Sequence, residues 1–493
     1  MNIFLVHLGA HYGRAAASPP LGLLSLAAWA REKRRGLNFT VLDQYLERID
    51  YDEVIRRILA SQPDIVAFSY MTRASPFVPD ITAQLKRALP NCTILLGGPH
   101  PSASEHAELE VSHADALVSG EGERSFELIL DAIASGSTFV DIPGLFWRDA
   151  DGAIIRNPGS PLAVEDLDTL PFIAYDLVDV EKYWQVQSQS VIIGARKYMT
   201  LFTSRGCPYR CIYCHDVFGK TFRAQSAERV VAEIEHIQAR YGVHEFDFMD
   251  DIFNLHKPRV YRFSELVNQK NLKLKLTMGN GVRTDILTQE VVDAMVDAGV
   301  FVCGFALESG SKRLQKLMKK NLNIDKFLAG VEMMAKRRVY SYGLNMLGFP
   351  TETVEEMRLT IQTAADSMLH QAIFSQVTPY PKTALYDVAL EMFPDRMQEM
   401  DYANHDYQFE PVINLSTVSD EELAATVRFA VRSFYMRPGR LYRIARDFPT
   451  PSVLPRYLPG AARMAFSRSK GLFRREQTRR SAGIRTKELV KGV

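Results

Sequence analysis

The sequence predicts an α/β protein made of two successive units, a doubly wound parallel sheet followed by a partial (β/α)6 barrel of the TIM type. Three observations support this prediction. Short β-rich runs alternate with helical patterns, several of these runs end in glycine loops, and one of them leads directly into three closely spaced cysteines. Such alternation is typical of parallel sheets, whose ligands bind beyond the carboxyl ends of the strands.

Length and composition predict several domains. The chain has 493 residues, of which 46% are hydrophobic, and this is enough for two or three separate cores. We predict a first domain over 1–140, a linker over 141–195, a barrel over 196–385 and a helical C-terminal region over 386–493. The first residues show no signal-peptide pattern, and no apolar stretch is long enough to span a membrane, so we expect a cytoplasmic protein.

The first unit shows five strand patterns that alternate with helical ones. The predicted strands are 3–8, 39–42, 64–70, 93–96 and 116–118, and the predicted helices are 21–33, 51–60 and 79–88. The last two strands lead into Gly97-Gly98-Pro99-His100 and Gly120-Glu121-Gly122-Glu123. The following segment contains four prolines, and we interpret it as a linker with a small hairpin over 145–156.

The second unit repeats the alternation six times. The predicted strands are 199–203, 245–249, 274–278, 301–307, 340–347 and 372–377, with helices at 226–241, 258–269, 288–298, 311–318, 324–337 and 353–369. A further helix at 419–436 carries its apolar residues on one stripe. Capping boxes at Thr353 with Glu356 and at Ser419 with Glu422 mark the starts of two of these helices.

Three cysteines follow the first strand of the predicted barrel. Cys207, Cys211 and Cys214 have the spacing C-x3-C-x2-C. Three thiolates can hold three irons of a [4Fe–4S] cluster and leave the fourth iron open to bind and reduce a ligand. Zinc is an alternative that requires a fourth protein ligand, which His215 could provide. The other two cysteines lie in apolar runs, so a disulfide framework is not expected.

The cysteine loop resembles that of the radical S-adenosylmethionine (SAM) superfamily. The family motif is C-x3-C-x-aromatic-C, and Tyr213 occupies the aromatic position. The resemblance covers about residues 196–385. It implies that SAM binds the open iron through its amino and carboxylate groups, and that one electron cleaves SAM to methionine and a 5′-deoxyadenosyl radical.

The same resemblance implies roles for residues at later strand ends. Asp250, with Asp251 behind it, is expected near the SAM amino group. Arg283 is expected to pair with a carboxylate, as arginine commonly does through two parallel hydrogen bonds. Glu308 is expected to point into the same mouth, and the backbone at Gly348 to approach the adenine. Each signal alone is weak, because an acidic residue at a strand end is often a helix cap.

The first domain resembles the cobalamin-binding domain that precedes many radical SAM cores. The resemblance implies that glycines let the backbone approach the corrin and that two hydroxyl groups bind its amides or nucleotide tail. The expected cofactor contacts are Ser69, Thr72, Gly97, Gly98, Glu121 and Gly122. The motif D-x-H-x-x-G is absent, so the cobalt would lack a histidine ligand, and His100 is interpreted as a loop or tail contact. A flavodoxin-like domain without this ligand is the alternative.

Two cofactors facing one cavity suggest two chemistries. We favour a cobalamin-dependent methyltransferase acting on an unactivated carbon or a phosphinate phosphorus, because the resemblance implies that methyl transfer is the commoner role of this domain pairing. A radical cyclase or oxidase similar to anaerobic magnesium-protoporphyrin ester cyclase has the same domain order and is the alternative. A non-catalytic metal or cobalamin carrier belongs to another class. Such a carrier would not need the row of polar residues at the strand ends.

Charge is unevenly distributed along the chain. From Arg437 to the end, 15 Lys and Arg stand against 3 Asp and Glu, although the whole chain has a net charge of only +1. The basic, amphipathic run 454–475 suggests contact with an anionic membrane, which would fit a lipid or isoprenoid substrate; a solvated tail is the alternative. We also expect an electron donor such as flavodoxin or ferredoxin, and no nucleic acid, because no nucleic-acid module is recognised.

Overall fold

The computed structural model describes residues 1–9, 17–186, 197–403 and 413–450. In these ranges the chain forms a seven-stranded sheet, then a six-stranded sheet, and a short two-stranded ribbon that precedes most of the second sheet. The predicted α/β class with two successive sheet units is confirmed.

The first unit is a sheet with helices on both faces. Its strands are β1 Asn2–Leu8, β2 Asn38–Asp43, β3 Ile65–Tyr70, β4 Thr93–Gly97, β5 Ala116–Leu117, β6 Phe146–Arg148 and β7 Ile154–Arg156. Its helices are α1 Leu21–Lys33, α2 Gln44–Glu47, α3 Tyr51–Ser61, α4 Val78–Ala88, α5 Pro99–Ser104, α6 His106–Val111 and α7 Glu123–Ser135. The order β2-β1-β3-β4-β5-β6-β7 reverses between β1 and β3. This reversal is the switch point at which doubly wound sheets bind ligands.

The hairpin formed by β6 and β7 is part of the first sheet. Leu117 of β5 pairs antiparallel with Phe146, and Trp147 donates a hydrogen bond to Asn157 at 2.9 Å. Phe146 and Trp147 are buried in the cores on the two faces of the sheet. The prediction of a hairpin is therefore correct, but its assignment to a linker is wrong. The other domain boundaries stay predictions.

The second unit is an open barrel of parallel strands. Its strands are β8 Tyr198–Leu201, β11 Glu245–Phe248, β12 Lys275–Val282, β13 Val300–Glu308, β14 Tyr340–Leu347 and β15 Gln371–Gln376, while β9 Ser204–Arg205 and β10 Arg223–Ala224 form the ribbon. Its helices are α9 Ala227–Tyr241, α10 Lys257–Gln269, α11 Gln289–Asp297, α12 Lys312–Leu317, α13 Ile324–Lys336 and α14 Val354–Asp366. The partial (β/α)6 barrel is confirmed.

Side chains from the connecting segment cover one edge of this barrel. The indole of Trp184, the last residue of helix α8 (Val180–Trp184), donates to the carbonyl of Tyr198 at 2.7 Å. The hydroxyl of Tyr175, which precedes this helix, donates to the carbonyl of Thr200. Both carbonyls belong to β8, the edge strand. These bonds satisfy backbone groups that an open sheet edge would leave free.

The C-terminal region packs onto the barrel as helices α15 Ala384–Met392, α16 Pro394–Gln398, α17 Asp420–Tyr435 and α18 Pro438–Asp447. Both predicted capping boxes are formed, at the starts of α14 and α17. In α18, the Arg440 guanidinium donates to three carbonyls at the end of α14 and the following turn. Among the described residues, no helix is long and apolar enough to cross a membrane. The run 454–475 lies outside the described residues.

Candidate active site

The cysteines lie in a loop that is closed at its base by β9 and β10. Arg205 pairs with Arg223 and Ser204 with Ala224 in an antiparallel register. Directly after β9, Gly206 has a φ of +84°, and a side chain at this position would overlap the carbonyl of Thr221. Glycine is therefore required where the chain leaves the ribbon and enters the cysteine loop.

The cysteine loop is anchored to the barrel in its middle. The Ile212 amide donates to the carbonyl of Met318 at 3.0 Å, and the Ile212 carbonyl accepts from the Leu385 amide at 2.9 Å. The Ile212 side chain is buried in an apolar cluster with both of these residues. Two helix ends, from α12 and α15, thus fix the segment that carries Cys211 and Cys214.

The three thiols fit the predicted cluster. Burial raises the pKa of Cys207, and burial together with the two neighbouring thiols raises the pKa of Cys214 to about 12, although Cys214 still touches solvent. Three sulfur donors on one loop suit a cubane with one open iron.

A cavity of about 490 Å³ lies between the cysteine loop and the carboxyl-terminal halves of the barrel strands. Cys207 and Cys214 line one side of it, and Tyr342 and Ser375 line another. A volume of this size suits a small-molecule ligand or cofactor. The cavity therefore offers room for a nucleoside-sized ligand directly beside two thiols.

The two neighbouring carboxylates after β11 have different surroundings. Asp250 is 1% exposed and accepts hydrogen bonds from the Thr203 amide at 2.6 Å, the Thr203 hydroxyl at 2.6 Å and the Ser204 hydroxyl at 2.7 Å. Asp251 lines the cavity instead. The oxygens of Asp250 are therefore occupied within the protein, whereas Asp251 reaches the cavity; the binding of the SAM amino group by either carboxylate stays a prediction.

Arg283 and Glu308 are also engaged within the protein. Arg283 donates to both carboxylate oxygens of Asp285, at 2.6 and 3.1 Å, and its guanidinium lies 4.0 Å from the centre of the Tyr209 ring. Arg283 therefore pairs with Asp285 in this structure, and its pairing with a ligand carboxylate stays a prediction. Glu308 accepts from Lys320 at 3.1 Å and from Tyr213 at 3.3 Å, so it supports the cysteine loop through Tyr213.

A buried carboxylate fixes the turn at Gly348 by hydrogen bonds to its backbone. Glu352 accepts hydrogen bonds from the amides of Gly348 at 2.6 Å and Phe349 at 2.9 Å. Phe349 in turn lies edge-on to the Tyr213 ring at 5.9 Å. The amide of Gly348 is thus not available to adenine, and the turn contacts the cysteine loop through an aromatic pair.

In the first unit, the predicted contacts Ser69, Thr72, Gly97 and Gly98 gather at the carboxyl ends of β3 and β4. Gly98 has a φ of +90°, and a side chain there would lie 2.5 Å from the Ser69 hydroxyl, so the two loops touch. The Thr72 hydroxyl bonds to Nδ1 of His100 at 3.2 Å, and Nε2 of His100 bonds to Glu108 at 3.1 Å. Protein groups thus contact both ring nitrogens of His100, which lies in helix α5 and not in a loop; its contact with the cobalamin tail stays a prediction.

The predicted contacts Glu121 and Gly122 have other partners. Glu121 accepts from Arg205 at 2.7 Å and is also paired with Arg223, both on the ribbon beneath the cysteines. A side chain at Gly122 would lie 2.8 Å from Leu26. Glu121 thus joins the two units and Gly122 packs against α1, and the contact of this glycine loop with cobalamin stays a prediction.

Sequence reasoning missed several cavity residues. Tyr342 and Leu344 of β14, and Ile373 and Ser375 of β15, face the cavity at alternating positions. Their period of two was the available signal, since alternate residues of a barrel strand face its interior. Asn280 of β12 also lines the cavity.

Comparison with known proteins agrees with this geometry. The family model of the radical SAM superfamily matches residues 201–364, and that of the B12 binding domain matches residues 14–130. The first match contains the cysteine loop and the cavity strands β11 to β14. The second contains strands β2 to β5 and the glycine loops after β4 and β5.

Individual relatives cover most of the chain. A Pyrococcus horikoshii protein named uncharacterized methyltransferase PH0819 is 30% identical over 86% of this chain and 89% of its own. The anaerobic magnesium-protoporphyrin IX monomethyl ester cyclase of Rubrivivax gelatinosus is 24% identical over 91% of this chain and 80% of its own. The structure of TsrM, a radical SAM methyltransferase from Kitasatospora setae, shares the fold with a TM-score of 0.65 at 19% identity, covering 79% of this chain and 78% of TsrM.

Proposed function

The chain belongs to the radical SAM superfamily, among the members with an N-terminal B12-binding domain, and on this premise we propose that it is a cobalamin-dependent methyltransferase of an unactivated carbon. One observation carries the proposal. Cys207 and Cys214 open into the same cavity as Asp251, while the base of their loop is bonded to the glycine loop of the B12-binding domain. The two cofactor regions are thus adjacent parts of one active site.

When bound, the cofactors supply the electron and the methyl carrier that radical methylation requires. The chain itself provides position and shielding. Cys207, Cys211 and Cys214 hold the cluster, and Asp251 offers a carboxylate to a ligand amino group. Tyr342 cannot act as a free donor, because its hydroxyl already donates to the carbonyl of Gly279.

Glu308 and Lys320, behind the cysteine loop, hold Tyr213 at its aromatic position. Tyr213 donates to Glu308, Lys320 bonds to the same carboxylate oxygen, and all three side chains are largely removed from solvent. Glu308 has a φ of +63°, a conformation that is uncommon outside glycine and asparagine. Strain of this kind is typical of functional sites, where the surrounding structure holds it in place.

A radical cyclase is the second candidate, because the Rubrivivax gelatinosus relative matches nearly the whole chain. Methyl-labelled SAM distinguishes the two chemistries. The test supplies labelled SAM and reductant to the anaerobically reconstituted protein with candidate substrates. Methyl transfer predicts S-adenosylhomocysteine and label in the product. Cyclisation predicts 5′-deoxyadenosine with all of the label retained in methionine, and this result would reject the methyltransferase proposal.

We further propose that the electron donor is a small acidic protein such as flavodoxin or ferredoxin. Arg210 in the cysteine loop and Lys316 and Lys319 beside it are exposed and form no ion pair with other described residues. The carbonyl of Met318, which lies between these lysines in sequence, bonds to the cysteine loop. A basic surface next to the cluster attracts an acidic partner and speeds its association at low salt.

A lipid or isoprenoid substrate, a cytoplasmic location and contact between the basic tail and a membrane stay predictions. Support for the tail comes from its charge alone, since the run 454–475 lies outside the described residues. Among described residues, Leu441 and Tyr442 of α18 are more than half exposed and precede this run. Sedimentation of the full chain with anionic vesicles tests the prediction. Equal sedimentation with neutral vesicles would contradict it.

A further inference from the structure

We infer that Glu121, Glu123, Arg205 and Arg223 form an interdomain charge cluster that couples the B12-binding domain to the cysteine loop. The inference rests on the proposed function and assigns these four side chains as positioning residues. It begins from their location. The two glutamates flank Gly122 after β5, and the two arginines face each other across the ribbon of β9 and β10.

Arg205 joins the two carboxylates. Its Nη2 donates to Glu123 at 2.6 Å and its Nη1 donates to Glu121 at 2.7 Å. Arg223 pairs with Glu121 from the opposite strand and also donates to the carbonyl of Val164 at 2.5 Å. The planar guanidinium fixes direction as well as distance, so the cluster sets the orientation of the ribbon relative to β5 and α7.

The cluster is almost free of solvent. The side chains are 3% exposed at Glu121, 4% at Glu123, 11% at Arg205 and 9% at Arg223. Although burial alone would raise it, the pKa of Glu123 is lowered, chiefly because Arg205 stabilises its ionised form. Buried ion pairs add little net stability over well-packed apolar groups. Orientation is therefore the better explanation for placing four charges at this boundary.

The cluster connects two ligand regions by direct contact. On one side, Glu123 is the first residue of α7, and a side chain at Gly120 would lie 3.5 Å from the carbonyl of Val217 in the cysteine loop. On the other side, Arg205 is two residues before Cys207. A displacement of the glycine loop by a bound ligand is thus transmitted to the base of the cysteine loop.

A second ion pair between the units serves as a matched control. Lys382 pairs with Glu105 and donates to the carbonyl of Ser102 at 2.9 Å. This contact joins the same two units without touching the ribbon. Glu105→Gln removes one interdomain charge, as Glu121→Gln does, but leaves the base of the cysteine loop unchanged.

The test measures the affinity of the full chain for hydroxocobalamin under anaerobic conditions, before and after the iron–sulfur cluster is reconstituted with iron and sulfide. Coupling requires that each site change the affinity of the other by the same factor. In the wild type, we expect the bound iron–sulfur cluster to change the affinity for hydroxocobalamin at least about 5-fold. The ratio of the two affinities, with and without the iron–sulfur cluster, falls close to one in Glu121→Gln and Glu123→Gln. Glu105→Gln retains the ratio of the wild type.

Arg205→Lys provides a second route if a glutamine variant fails to fold. It keeps the charge but loses the two-sided pairing, so the ratio again falls towards one. Three results would overturn the inference. They are a ratio of one in the wild type, an unchanged ratio in the variants of the charge cluster, and a fall of the ratio in Glu105→Gln as large as in those variants. Failure of the wild type to bind iron or corrinoid would overturn the proposed function as well, and is therefore distinguishable from loss of coupling alone.

Discussion

Asp250 and Asp251 illustrate how adjacent residues of the same type perform different tasks. Asp250 joins β11 to the start of the cysteine loop through three hydrogen bonds, and its neighbour Arg259 also bonds to Thr203. Burial and the proximity of Asp250 raise the pKa of Asp251, with His215 opposing this effect. Asp250 is therefore a structural residue, whereas Asp251 is a group that a cationic ligand would stabilise in its ionised form.

Substitution separates these two roles. We expect Asp250→Asn to lower the free energy of unfolding by roughly 2 to 3 kcal/mol, because the amide group would face the Thr203 and Ser204 donors with donors of its own. Asp251→Asn should unfold like the wild type but bind SAM at least about 10-fold more weakly. Urea denaturation and SAM titration measure the two effects. The reverse pattern would restore Asp250 as the ligand.

At the residue scale, the sequence predicted the motif but not the partners. The cysteines and Tyr213 were found because their spacing is local and their chemistry restrictive. The protein partners of Asp250, Arg283 and Glu121 could not be predicted, because they depend on the fold. Thr203 and Arg205 are far away in sequence, and Asp285 competes with any ligand for Arg283. A position at a strand end shows that a residue is near the site, but it does not show which group its side chain contacts.

At the element scale, the cysteine loop depends on the ribbon that closes it. Gly206 has a positive φ and no room for a side chain beside Thr221. We expect Gly206→Ala to lower the iron content after reconstitution by more than half, because both the backbone conformation and the close approach are lost. Gly219→Ala, also at positive φ but in open space, is the control. Equal iron content in both variants would show that the ribbon does not govern the loop.

The turn after β14 is expected to make stability depend on pH. Burial raises the pKa of Glu352 from 4.5 to about 7. The folded chain then holds more protons than the unfolded chain across this interval, so stability falls as pH rises through it, by up to about 3 kcal/mol. Glu352→Gln should flatten this dependence in urea denaturation between pH 5 and pH 8. An unchanged slope in the variant would assign the dependence to other groups.

Elements were predicted more successfully than contacts. Alternation placed every strand of both sheets within a few residues, and the capping boxes located the starts of α14 and α17. The pairing of the β6–β7 hairpin with β5 was missed, because hydrophobic alternation gives a strand but not its neighbour. Tertiary pairing of a short hairpin depends on burial of Phe146 and Trp147 that the local pattern cannot show.

At the scale of the whole molecule, the two units meet around the cysteine loop. The interdomain charge cluster holds the base of the loop, α12 and α15 hold its middle, and the cavity lies beneath it. At the amino-terminal end of β14, Phe448 after α18 packs against Tyr340. This contact and the cysteine loop lie at opposite ends of the parallel barrel strands.

The most direct test of the central claim is anaerobic reconstitution of the full chain with iron, sulfide and hydroxocobalamin, followed by addition of reductant and SAM. The account predicts about four irons per chain, bound corrinoid and release of 5′-deoxyadenosine. It also predicts that Cys214→Ser loses the iron and the SAM cleavage, while Cys303→Ser, buried in the barrel wall, keeps both. Zinc in place of iron, with no cleavage of SAM, would contradict the account.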